Sequence, residues 1–277
     1  MSMQPPPSAR GLPVLGHTVE LMRDQLGLHD SLVAEYGDLV RLKTLGVGEY
    51  CLLAHPEYVE QALVSNSDAF TKTEDFTIAF GQSIGATTGE QWQRQRDAME
   101  EFFYPQRIRS YADDMARITQ RGVDRWRDGQ QLSIHDEMDR IALENFFGTI
   151  FGHELDPDGD DRLHRAASDL NLWFKPTSYA LPKWVPTPAH RRFHRAVATL
   201  EAEGEKLLAE RKRQDTGDDL LSTLVRLRAD GEAELTDQEI VDQVTGLVFA
   251  GYETTSLTLS YALYLLGTHD TVRDPFH

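Results

Sequence analysis

Only one cysteine, Cys51, occurs among the 277 residues. That excludes an internal disulfide and makes a reducing, cytoplasmic compartment the natural setting. The start of the chain lacks an apolar signal core, and no membrane anchor is expected: Met1 to Arg10 is polar and proline-rich. Basic residues are few, 28 Lys and Arg against 45 Asp and Glu, for a formal net charge of -17. Such a field repels phosphate backbones and excludes nucleic acid as a general partner. With arginine far outnumbering lysine, the balance suits a salt-adapted, halophilic protein, in which screening removes most of the self-repulsion. Repeats and low-complexity tracts are missing too, which excludes a solenoid and a disordered chain. What is present, a 40% hydrophobic share, suffices for a packed core.

Strand-like runs are confined to the first quarter. Residues 1–18 read as an extended lead-in, with Pro5-Pro6-Pro7, Leu12-Pro13 and Leu15-Gly16-His17. A helix over Leu28 to Tyr36 stops at Gly37, and residues 38–54 form a β-hairpin around Gly46-Val47-Gly48. A third glycine and a P-loop lysine are lacking, so these glycines make a turn and not a phosphate loop. Pro56 opens a short helix, residues 66–88 look like loop, and helices follow from Gly89, from Ile108 to Trp126 and from Ser133. Further helices are expected over residues 162–174, Ala189 to Gln214 and Leu220 to Arg228, and Thr236-Asp237-Gln238-Glu239 is a capping box.

That box introduces the most informative segment, Ile240 to Leu266, which carries apolar residues on every face. A helix of that kind is expected to be buried all round. At roughly 1.5 Å per residue it reaches about 40 Å. Its length would allow a membrane span, but Glu253 sits mid-segment beside Thr254, Thr255 and Ser256, and a central carboxylate is costly in lipid. Thr254 can turn its hydroxyl onto the carbonyl of Ala250, a bond that competes with the backbone ladder and opens a polar notch. On spacing alone a packed Gly/Thr kink is the rival reading. Trp92 and Arg96, four apart, share a helix face, and two donor-only groups suit paired carboxylates. A tryptophan stacked on an arginine is the alternative.

Ala250-Gly251-Tyr252-Glu253-Thr254-Thr255 resembles the oxygen-activating motif of the cytochrome P450 family. Leu12-Pro13 with Leu15-Gly16-His17 resembles that family's proline-rich lead-in, and Gly89 to Arg96 its Trp-x-x-x-Arg helix; Phe103 fits the aromatic that follows, while Glu101 stands where proline is common. The ordered set covers essentially the whole chain. The resemblance implies a mainly α fold with a small β-hairpin or sheet, and a single truncated P450 domain over residues 1–277 with a long central helix at 237–267. It implies haem b as cofactor, contacted by Trp92, Arg96, Ala250 and Gly251, with Thr254 and Glu253 assisting protonation of bound dioxygen. The reaction implied is monooxygenation of an apolar small molecule, with electrons from a ferredoxin- or flavin-type donor. Phe76, Ile78, Phe80, Trp173, Phe174 and Trp184 are candidates for the substrate pocket, or ordinary core residues.

The family's thiolate ligand sits in a glycine-rich Phe-x-x-Gly-x-Arg-x-Cys-x-Gly loop, which this sequence lacks up to Pro275-Phe276-His277. Cys51, in the hairpin, is expected to be a small buried structural thiol. His190 and His194 have a metal-ligand spacing but lie among Arg191, Arg192 and Arg195, so a solvated basic face is expected and no metal site. Three functions compete: a monooxygenase chain inactive alone, a non-enzymatic helical protein that binds a partner through an uncovered apolar face, and a histidine metal site.

Overall fold

A computed structural model describes residues 5–156, 161–175, 178, 185–213 and 217–273. Trp184, Tyr179 and Pro157-Asp158-Gly159-Asp160 lie outside the described residues. The chain is mainly helical with one two-stranded sheet and divides into two compact units.

The smaller unit spans Met1–Thr71 and Asn171–His194. It holds α1 (Thr18–Arg23), α2 (Gln25–Tyr36), β1 (Leu39–Thr44), β2 (Gly48–Leu53) and α3 (Pro56–Glu60). The strands pair antiparallel from Leu39 opposite Leu53 to Thr44 opposite Gly48. Alternation turns Val40 and Leu42 inward onto Leu21, Leu28 and Leu32. On β2 the same alternation brings Tyr50 and Leu52 against that core and leaves Cys51 exposed, which corrects the expected buried thiol. The lead-in is not loose chain. It lies along β1: Arg41 N–H donates to Pro7 O (2.8 Å), Ala9 N–H to Arg41 O (2.9 Å) and His17 N–H to Lys43 O (2.8 Å).

The larger unit spans Lys72–Leu170 and Arg195–His277. In order it contains α4 (Glu74–Phe80), α5 (Gly89–Glu100), α6 (Pro105–Ser110), α7 (Ala112–Val123), α8 (Ile134–Ile150), α9 (Asp161–Leu170), most of α10 (Pro188–Arg213), α11 (Leu220–Ala229), α12 (Asp237–Thr268) and α13 (Asp270–Arg273). The stretch expected as loop thus contains α4, and the helix expected from Ile108 to Trp126 is two, since Pro105 starts one and Tyr111 ends it. The caps fall where the sequence puts them: Ser133 Oγ accepts from Asp136 N–H, and Thr236 and Glu239 close the capping box. Two glycines let α7 and α8 approach, for a Cβ on Gly122 would meet Ile141 Cγ1 at 2.7 Å and one on Gly148 would meet Ile118 Cδ1 at 2.5 Å.

The central helix α12 packs along α8. Its buried residues run from Glu239 to Ser256, and Leu257, Leu259, Tyr261, Leu263, Tyr264 and Leu265 are exposed. The expectation of burial on every face therefore holds for the first half only. Apolar content reports that a face can be buried, and only a packing neighbour buries it. Among the described residues no helix is long and apolar enough to cross a membrane.

Candidate functional site

Ala250 and Thr254 lie four apart on one exposed side of α12, and Thr254 Oγ1 donates to Ala250 O at 2.9 Å, the bond expected from the sequence. Thr255 Oγ1 donates to Gly251 O at 2.7 Å and Thr258 Oγ1 to Thr254 O at 2.8 Å. The helix nevertheless runs unbroken from Asp237 to Thr268, so the expected opening is absent. A carbonyl has two lone pairs and can take the hydroxyl as well as its ladder N–H. Gly251 points elsewhere: a Cβ there would run into the Phe146 ring on α8. Glu253 is half-buried. Behind the motif, Ser256 is fully buried and its hydroxyl donates to Asp139 of α8, which ties the rotation of α12 to that helix.

On α5, the Arg96 guanidinium carbon lies 5.4 Å from the centroid of the half-buried Trp92 ring. Arg96 is exposed and forms no ion pair among the described residues, and the stacking is the alternative that the spacing allowed for this pair.

The candidate pocket residues fall in two groups. Phe76, Ile78 and Phe80 sit together on α4, where the buried Phe80 ring is 4.7 Å from Phe249, next to Ala250, and 6.0 Å from Phe76. Trp173 and Phe174 belong to the smaller unit; Trp173 is buried, its ring 4.7 Å from Phe193 and 5.2 Å from His190. His190 is buried there with Nδ1 3.0 Å from Val185 O, which corrects the solvated face expected for it, because the tryptophan covers it. Among the described residues no group of three or more His, Cys, Asp or Glu is arranged to hold a metal ion.

A polar cluster between α5, the turn after α4 and the first turns of α12 was not read from the sequence. Glu239 Oε1 accepts from Arg94 Nη2 (2.7 Å), Gln91 Nε2 (3.0 Å) and Gln95 Nε2 (3.4 Å), and its Oε2 from Thr236 N–H (2.8 Å). Burial works to raise the Glu239 carboxyl, but these donors bring it below its ordinary value. Asp242 accepts from Gln82 N–H (2.7 Å) and Gln243 from Ile84 N–H (3.0 Å), while burial pushes the Asp242 carboxyl up. The available signal was polar spacing: Gln91, Arg94 and Gln95 recur at three and four residues on one α5 face.

A mainly helical chain with a small antiparallel sheet and one long helix that bears a Thr-Thr motif on an open side is a recognisable class. The chain belongs to the cytochrome P450 family, whose model matches residues 5–276. It is 34% identical over 275 residues to the cyclooctat-9-en-7-ol 5-monooxygenase of Streptomyces melanosporofaciens, covering 96% of this chain and 59% of that protein. It is 31% identical to the pentalenene oxygenase of Streptomyces avermitilis, covering 94% of this chain and 59% of that one. Retinoic acid-bound cyanobacterial CYP120A1 superposes with a TM-score of 0.82 at 23% identity, covering 98% of this chain and 62% of its own, a likeness of fold. The chain thus spans about three-fifths of the length of each of these three proteins.

Proposed function

We propose that residues 1–277 are one P450 domain that supplies the oxygen-activating side of a haem pocket. The reaction proposed is insertion of one oxygen atom from dioxygen into an apolar, terpenoid-type molecule, with electrons from a ferredoxin- or flavin-type donor. The observation that carries this reading is that Ala250 and Thr254 share the exposed side of α12 with a hydroxyl fixed between them.

The residues fit haem b in part. Arg96, exposed and unpaired among the described residues, and the Trp92 indole are donors suited to propionates, and Ala250 is small enough to lie against a flat ring. Bound haem with a thiolate ligand would supply dioxygen activation. The one cysteine, Cys51, lies exposed on β2 in the smaller unit, and we do not assign it as that ligand. Thr254, with its proton committed to Ala250 O, keeps lone pairs with which it would accept a hydrogen bond on the open side of α12, and Glu253 next to it would be the carboxylate that assists proton delivery there. Phe80, Phe249 and Phe76 offer an apolar wall beside Ala250.

The exposure of Leu257, Tyr261 and Tyr264 favours a second reading, a non-enzymatic chain that binds a partner through this face. Hemin titration separates the two. The first expects a saturable Soret change that weakens in Arg96→Ala, with no thiolate-type band in the reduced carbon monoxide complex of this chain alone. Absence of any saturable change would remove the haem reading, and a thiolate-type band would remove the account of Cys51. In a form that turns over, Thr254→Ala is expected to lower product formed per dioxygen consumed.

A further inference from the structure

Two helices carry the candidate haem contacts, Trp92 and Arg96 on α5 and Ala250 and Thr254 on α12, and one buried side chain joins them. We propose that Glu239 is a positioning residue that fixes the rotational setting of α5 against α12, and with it the orientation of the Trp92/Arg96 face. The inference rests on the haem reading above and deepens it.

The geometry separates this role from helix capping. Glu239 Oε2 receives the Thr236 N–H at 2.8 Å, which completes the capping box. Its other oxygen, Oε1, receives only α5: Gln91, Arg94 and Gln95, at 3.0, 2.7 and 3.4 Å. A cap needs the first oxygen alone. The Glu239 side chain is 2% exposed, so a carboxylate has been taken out of water, at a cost its own cap does not offset, and the α5 donors supply the remainder. Arg94 adds a second anchor by donating to Glu234 O, ahead of α12.

Helix periodicity carries the setting onward. With 3.6 residues per turn, Trp92 follows Gln91 by about 100° and Arg96 follows Gln95 by the same angle, so a face locked at 91, 94 and 95 also sets 92 and 96. On α12, Ala250 is eleven residues beyond Glu239, about 20° off its stripe and roughly 16 Å along the axis. The locked side of α12 is therefore the side that becomes open at the motif.

Two variants test the assignment. Glu239→Gln keeps size and can still cap, but it replaces the charge that Arg94 and two amides converge on. Thr236→Ala removes the cap hydroxyl and leaves Oε1 untouched. Hydrogen exchange of α5 (Gly89–Glu100) and hemin titration are read for both. Glu239→Gln is expected to speed α5 exchange and to weaken hemin binding, each by about tenfold, the scale of a charge-assisted hydrogen bond. Thr236→Ala is expected to speed exchange in the first turn of α12, with both α5 readouts unchanged. Unchanged α5 exchange in Glu239→Gln overturns the joint, and an equal loss of hemin binding in Thr236→Ala reduces Glu239 to a cap. Wild-type chain that exchanges as described but binds no hemin removes the haem reading, and α5 exchange then decides the joint by itself.

Discussion

At the scale of single residues, two histidines predict how stability depends on pH. His153 and His164 are both held below the ordinary imidazole value of 6.5, in each case first by burial. A histidine with a lowered folded value binds fewer protons folded than unfolded. Its contribution is fully present above 6.5 and is lost as pH falls below it. Denaturant midpoints are therefore expected to drop between pH 7.5 and 5.5, and His164→Gln is expected to flatten that dependence. An identical slope in the variant would clear His164. Nothing in the sequence marked these two partly buried histidines, because the packing around them is tertiary.

At the scale of elements, legibility followed local signals. The hairpin turn, the Ser133 cap and the Thr236 cap that starts α12 were all written in short motifs, and the structure reproduces them. The helix α4 was missed. Its Thr73 cap makes no side-chain bond, and its sequence mixes Phe76, Thr77 and Ile78, poor helix formers held in place by the Phe80–Phe249 contact. The second half of α12 was misjudged in the opposite sense, apolar in composition and yet exposed. Of the candidate site, the hydroxyl bond at Thr254 was legible because it is local, and the Glu239 joint was not, because it links positions 144 to 148 residues apart. Helix crossings give a direct test. Gly148→Ala gains helix propensity of about 1 kcal/mol, but its Cβ meets the buried Ile118 at 2.5 Å. Overpacking costs about 1–3 kcal/mol, so the net effect is destabilising. Gly267→Ala, with nothing within 4 Å, is expected to be neutral or stabilising by the same chemical denaturation assay.

For the whole molecule, charge is the dominant feature. Surface pairs such as Arg121–Glu154 and Lys212–Asp237 are each worth about 0–1 kcal/mol and weaken in salt. A formal charge of -17 repels itself over longer distances, and about 1 M salt shortens the Debye length to about 3 Å. The long-range term should win, so the melting temperature is expected to rise between about 0.1 M and 1 M potassium chloride. A fall would mean that the local pairs matter more than the net charge.

The strip of lead-in laid against β1 has a practical corollary for anyone trimming the protein. Pro7 and Ala9 already satisfy the backbone of Arg41, so that side of the hairpin is closed to strands from neighbouring molecules. Cutting the chain back to Leu12 would strip this edging away and bare the Arg41 N–H and carbonyl, and the trimmed chain is expected to stick to itself strand by strand, which light scattering would report.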